Sequence, residues 1–244
     1  MSPCRASGCK QPVQMSSVKA FFRPSASLAC VLEVADEPLR WLEVPAPVAA
    51  PAATPSAPAP DVLPDTLEAF AAWRLGDGAP DAGWGGVPIA ASGPAGAAVM
   101  ILVDCPERDD RDILMEGPVG RLFDRMLAAI GLDRAQVALA AVCARRPTTG
   151  RVPRDVEARL GAIARHHVEL VTPKRLLAMG DAASRAILSM NVADARGRYH
   201  PLNHRNGTII EVVATHHPRF LLDRPAAKTE AWRDLLMLMK EQHS

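Results

Sequence analysis

The chain has 244 residues, 48% of them apolar, a formal net charge of +1 and five cysteines. Such a length and apolar content suffice for a proper core, while a charge near zero argues against a globally basic nucleic-acid-binding chain. The cysteines, at positions 4, 9, 30, 105 and 143, are odd in number and scattered, unlike a secreted disulfide framework; no run of eighteen apolar residues occurs, and Arg23 and Pro24 interrupt the stretch from Ala20 to Val34. A cytoplasmic protein without a membrane span is expected.

Residues 1–43 keep no sustained period of 2 or 3.6 and are expected to be poorly ordered. Residues 44–64 carry seven prolines, which remove backbone donors and favour extended conformations, so this stretch reads as a linker to a domain over 65–244. Asp65 or Thr66 can cap a short helix bearing Leu67, Phe70 and Trp73, which ends at Gly76 and Gly78. Val99 to Val103 is a continuous apolar run suited to a strand buried on both faces. Val119, Leu122, Phe123, Met126, Leu127 and Ile130 then keep helical spacing up to Gly131, and Val137 to Val142 reads as a second strand.

Pro153 fits the first position of a helix with Val156, Leu160, Ile163, His167 and Leu170 on one face. Arg175 to Met179 is a third strand, followed by a shorter helix with Ala183, Ala186, Ile187 and Met190. Thr208 to Ala214 is the fourth strand, and Pro225 opens a last helix. Strands alternating with helices predict an α/β fold, a three-layer α/β/α sandwich around a mostly parallel four-stranded sheet.

In such a sheet, ligands bind beyond the carboxyl ends of the strands. There the sequence places Asp104-Cys-Pro-Glu107, Cys143-Ala-Arg-Arg-Pro147, Gly180-Asp-Ala-Ala-Ser184 and Thr215-His-His-Pro-Arg219. Asp104 beside Pro106 could simply shape a turn, and Asp181 could simply cap a helix. The His216-His217-Pro218 run is different, because a proline-fixed loop holds an imidazole where a ligand would sit. From Ala144 to Arg205 there are twelve Lys and Arg against five Asp and Glu, a local basic excess that a polyanion could use, or one dispersed over solvated helix faces.

These residues also carry a resemblance. Gly120-Arg-Leu-Phe-Asp-Arg-Met-Leu-Ala-Ala-Ile-Gly-Leu-Asp133, Val168-Glu-Leu-Val-Thr-Pro-Lys174, Met179-Gly-Asp-Ala-Ala-Ser-Arg-Ala-Ile-Leu188, Ala195-Arg-Gly-Arg-Tyr-His200 and Thr215-His-His-Pro-Arg-Phe-Leu-Leu222, in this order, resemble the iron-sulfur, or family-four, uracil-DNA glycosylases. The resemblance implies a role in DNA base-excision repair, with a flipped damaged base hydrolysed from deoxyribose at the strand ends. It implies DNA as partner, a monomer, and Asp104 and His217 as the catalytic pair. Asp104 would position the attacking water, and His217 would stabilise negative charge on the leaving base. The base pocket would involve Cys105, Pro106, Met115 at the usual stacking position and Ala140 at the position of the uracil-reading asparagine. DNA contacts are expected from Arg145, Arg146, Arg196, Arg198, His216 and Arg219.

The motif Gly-Glu-Ala-Pro-Gly is matched by Val103-Asp-Cys-Pro-Glu107, so Val103 and Glu107 replace both glycines. The cluster cysteines are unmatched: residues 71 to 80 hold none, and the third and fourth positions fall at Ala144 and Leu160. Ligation needs four thiolates or close equivalents, so no iron-sulfur cluster is expected. The alternatives are a catalytically silent scaffold that binds DNA or a repair partner, and a small-molecule hydrolase using the same cleft.

Overall fold

The computed structural model describes residues 63–240, so the expectations for 1–43 and nearly all of the linker fall outside the described residues. Helices and strands among the described residues set the frame of the site. They are α1 (Leu67–Leu75), β1 (Val99–Val103), α2 (Gly117–Ala129), β2 (Val137–Ala141), α3 (Arg154–Val171), β3 (Arg175–Met179), α4 (Asp181–Leu188), α5 (Val192–Ala195) and β4 (Tyr199–Asn203). After them come β5 (Ile209–Thr215), α6 (Pro218–Asp223) and α7 (Lys228–Met239). Thr66 caps α1 by accepting from the Ala69 N–H at 3.2 Å. Pro153 is the residue before α3 and not its first residue, with extended backbone angles.

The sheet has five strands in the order β2-β1-β3-β5-β4. β1 pairs in parallel with β2 and β3, β3 pairs in parallel with β5, and β4 runs antiparallel to β5. The expected four-stranded sheet is corrected by β4. Pro201 sits in the middle of that strand, and a proline lacks the donor a central strand needs. It is tolerated because β4 is an edge, paired on one side only. The loop expected after His217 is also partly helical, as α6, with Pro218 at its first position.

Alternation along the strands splits the core in two. Met100 and Leu102 of β1, Ala138 and Ala140 of β2, and Leu176 and Ala178 of β3 lie in one buried cluster with Leu160 and Val168 of α3 and Ala183 and Ile187 of α4. Ile101, Val103, Leu139, Leu177 and Met179 lie in the other, with Phe123 and Leu127 of α2 and Leu235 and Leu238 of α7. Both faces of the sheet are thus covered, which is why β1 reads as an unbroken apolar run. The connection from β1 through α2 goes outward to β2, and the connection through α3 crosses back over β1 to β3. Strand order therefore reverses between β1 and β3, where an open α/β sheet leaves a crevice at its carboxyl edge.

Candidate active site at the strand ends

Asp104 follows β1 and Gly180 follows β3, and the two meet at that reversal. Gly180 has φ +104, and a Cβ there would lie 2.5 Å from Asp104 Oδ2. Glycine is therefore required twice, for its backbone conformation and for the space the carboxylate occupies. Asp104 Oδ1 accepts from the Ala183 N–H, in the first turn of α4, at 2.9 Å. A carboxylate from β1 thus caps α4 from outside, because Gly180 at the cap has no side chain to do so. Part of Asp104 still reaches solvent. Burial nevertheless pushes its carboxyl up from 3.8 to about 6, against the opposing pull of the Ala183 N–H and the Arg219 charge.

His217 is the cap residue of α6. Its Nδ1 accepts from the Arg219 N–H at 3.2 Å, so Nδ1 carries no proton and the neutral ring bears it on Nε2. Nε2 is buried and has no hydrogen-bond partner in the protein. Burial, reinforced by the charges of Arg219 and Arg146, pushes the imidazole down from 6.5 to about 3. The site therefore holds a neutral donor with its tautomer fixed. His216 goes the other way: its Nε2 lies 3.2 Å from Glu230 Oε2, and its ring stacks on Phe220 at 4.8 Å between centroids.

Glu107 completes the cluster, a residue the sequence marked only as a replaced glycine. It is 9% exposed. Arg219 donates to its Oε2 at 3.0 Å, Arg146 lies 3.7 Å from the same oxygen, and Oε1 lies 3.7 Å from His217 Nδ1. Burial raises its carboxyl above the usual range, with Arg219 and Arg146 opposing. Asp110, also unforeseen, organises the loop behind it. Its two carboxylate oxygens accept from the N–H groups of Glu107, Met115 and Glu116 at 2.8, 3.0 and 2.7 Å. A lone aspartate in a loop reads as a turn former in sequence, and only the fold gives it three partners.

The other expected residues separate into groups. Cys105 is buried with its thiol near the Gly150 carbonyl, and the Pro106 carbonyl accepts from Arg146 at 2.6 Å. Met115 is 1% exposed, has φ +58, and belongs to the buried cluster of Leu114 and Phe123 rather than lying open as a stacking plate. Ala140, expected in the base pocket, is turned by strand alternation to the α3–α4 face. There it lines an apolar cavity of about 460 Å³ with Phe70, Ile89 and Met100. The next residue, Ala141, pairs with Val103 at the end of the strand and faces the side that carries Met115.

Arg196, expected as a phosphate contact, lies in an ion-pair network. Its guanidinium is held by Glu230 at 2.8 Å and by Asp234 at 3.0 Å, and Asp234 in turn accepts from Thr215 at 2.9 Å. Arg145 donates to the Gly86 carbonyl at 3.0 Å, and exposed Arg198 donates to the Asp194 carbonyl at 2.7 Å. Arg146 and Arg219 lie beside Glu107 and His217.

The region facing the expected cluster positions has its own tie. Arg74 pairs with Asp81, which is 1% exposed, and donates to the Val142 carbonyl at 3.0 Å. Asp81 Oδ2 accepts from the N–H groups of Ala144 and Arg145 at 2.6 and 3.1 Å. A carboxylate and a guanidinium thus join the segment before β1 to the loop after β2, and Leu160 is packed in the core. That donor set does not fit an iron-sulfur cluster.

Comparison with protein-family models matches residues 90–236 to the uracil DNA glycosylase superfamily. The match spans more than half of the chain and contains Asp104, Glu107, Gly180 and His217. The chain belongs to that superfamily. It is 27% identical over 149 residues to the type-4 uracil-DNA glycosylase of Pyrobaculum aerophilum, covering 57% of this chain and 75% of that protein. It is 28% identical over 145 residues to the type-4 uracil-DNA glycosylase of Archaeoglobus fulgidus, covering 55% and 71%. No helix among the described residues is long and apolar enough to cross a membrane. This chain carries a carboxylate after β1 and a histidine after β5, with a second buried carboxylate, Glu107, beside the histidine.

Proposed function

We propose that the chain is a cytoplasmic, monomeric base-excision repair protein that binds DNA and hydrolyses the N-glycosidic bond of a damaged base, without an iron-sulfur cluster. The observation that carries this reading is that one carboxyl edge of the sheet holds, after β1, the Asp104 carboxyl that burial pushes up to about 6 and, after β5, a neutral imidazole whose ring proton is on an unpartnered Nε2. Asp104, as the carboxylate, orients a water and takes its proton as the water oxygen bonds to the anomeric carbon. The glycosidic bond breaks, its electron pair passes to the leaving base, and His217 Nε2–H donates to the base oxygen on which negative charge collects. A neutral imidazole suits this role, because it stabilises the oxyanion without first giving up a proton. Arg146 and Arg219 beside the pair, and Arg198 on the surface, are the proposed phosphate contacts.

The test uses oligonucleotides carrying uracil, hypoxanthine or xanthine. Abasic sites revealed by alkali are expected, with excision about a hundredfold slower in His217→Ala. Excision that survives loss of both Asp104 and His217 would sink the mechanism. A scaffold reading draws on the enclosure of His217 and the Glu107 carboxylate set against it. It predicts salt-sensitive DNA binding with no abasic sites on any of these strands.

A further inference from the structure

We infer that Glu107 is the base-reading residue: its free carboxylate oxygen and the His217 ring N–H form an acceptor–donor pair that selects bases presenting a carbonyl beside a ring N–H. This inference rests on the glycosylase reading above and deepens it. The described residues contain two buried polar atoms of opposite character on adjoining groups, Glu107 Oε1 and His217 Nε2, and neither has a partner in the protein. Leaving such atoms unpaired is costly, so their persistence on adjoining groups, with Oε1 3.7 Å from Nδ1 of the same imidazole, points to a ligand that satisfies both. Their supports are built. The Arg219 N–H fixes the imidazole, and Arg219 and Arg146 hold the carboxylate by its other oxygen, so that Oε1 alone is left over. Neither Ala140 nor Ala141 offers a side-chain polar group, so the strand that normally supplies the reader in this superfamily is silent here.

The chemistry of the edge follows. With His217 donating to a base carbonyl, the adjoining ring position faces an acceptor. Uracil and hypoxanthine place an N–H there. Cytosine places a bare nitrogen, whose lone pair would oppose the carboxylate, and adenine has no carbonyl at all. The pair therefore separates uracil from cytosine and hypoxanthine from adenine. Thymine and guanine carry the same edge, and the Glu107–His217 pair does not distinguish them from uracil and hypoxanthine.

The experiment uses the full chain and matched single-stranded oligonucleotides with one central uracil or cytosine, read by alkali-labile sites in single turnover and by fluorescence anisotropy. Wild type is expected to favour uracil by about tenfold or more in both readouts, or in binding alone should it bind without excising. Glu107→Ala should remove that preference while binding to the cytosine strand is kept or strengthened, because Arg146 and Arg219 are freed. Glu107→Gln is the sharper variant. The arginines claim its amide oxygen, its NH₂ faces the base, and preference moves toward cytosine. Uracil excision that is unchanged or faster in Glu107→Ala shows a plug rather than a reader, and a uracil preference indifferent to both substitutions overturns the inference while leaving the glycosylase reading standing. Absence of excision and of salt-sensitive binding in a folded wild-type protein overturns both.

Discussion

Replacing Asp104 by asparagine removes a charge that the fold holds against its preference. The carboxyl titrates at about 6 in the folded protein against an ordinary 3.8, so between those values the folded form binds more protons than the unfolded chain. Stability contributed by the bound proton is therefore present at low pH and lost as pH rises through about 6. The full displacement corresponds to about 3 kcal/mol, an upper value because part of Asp104 reaches solvent. Asparagine keeps the oxygen that accepts from the Ala183 N–H and does not ionise. The stability difference between Asp104→Asn and wild type should shift in favour of the variant by about 2 kcal/mol between pH 4.5 and pH 8. Urea unfolding followed by tryptophan fluorescence at the two pH values measures it. A fixed penalty for the new amide N–H cancels in that comparison. So do His217 and His167, whose depressed values of about 3 and 4 withdraw stability from both proteins as pH falls below 6.5. Excision at neutral pH should fall by about 10²-fold or more in the variant, and in wild type it should rise as pH increases through about 6. A stability difference that stays constant across the window, or moves against the variant at high pH, refutes the account of Asp104.

Gly180→Ala forces a Cβ into the Asp104 carboxylate and an alanine into a left-handed backbone conformation, so it should cost about 1–3 kcal/mol and abolish excision; near-normal activity would show that Asp104 has another support. Asp81→Ala strands a largely buried Arg74 and leaves the Ala144 and Arg145 N–H groups without their acceptor, with an expected loss of about 3–5 kcal/mol in urea unfolding. A loss under 1 kcal/mol, the scale of an exposed pair, would mean that the tie between the α1 segment and the loop after β2 contributes little. Iron analysis of the purified chain should find no stoichiometric metal, whereas a brown protein with about four irons per chain would show that this chain's own cysteines ligate a cluster.

The sequence by itself determined the parallel part of the sheet and the helices that cover it. Unbroken apolar runs at Val99–Val103 and at residues 176–179, separated by helical periods, admit few arrangements other than strands buried on both faces. It also placed Asp104 and His217 at strand ends, since those positions follow from chain order once the strands are known. What it did not reveal depends on neighbours distant in the chain. β4 is a strand because β5 offers it an edge that tolerates Pro201, and no local pattern announces that. Ala140 and Ala141 are indistinguishable in sequence, but the pleat turns one toward the α1 cavity and the other toward the cluster of Met115 and Phe123. Arg196 and Arg219 look alike as basic residues after small ones, yet one is spent on Asp234 and the other on Glu107. Glu107 itself read as an obstruction in place of a glycine. Its part emerges only when residues 39 and more than a hundred positions away, Arg146 and Arg219, fix one of its oxygens and leave the other beside His217. Hydrophobic periodicity is a local property and survives in one dimension. Pairing among polar groups is decided by which strand ends the crossovers bring together, and that exists only in the folded chain.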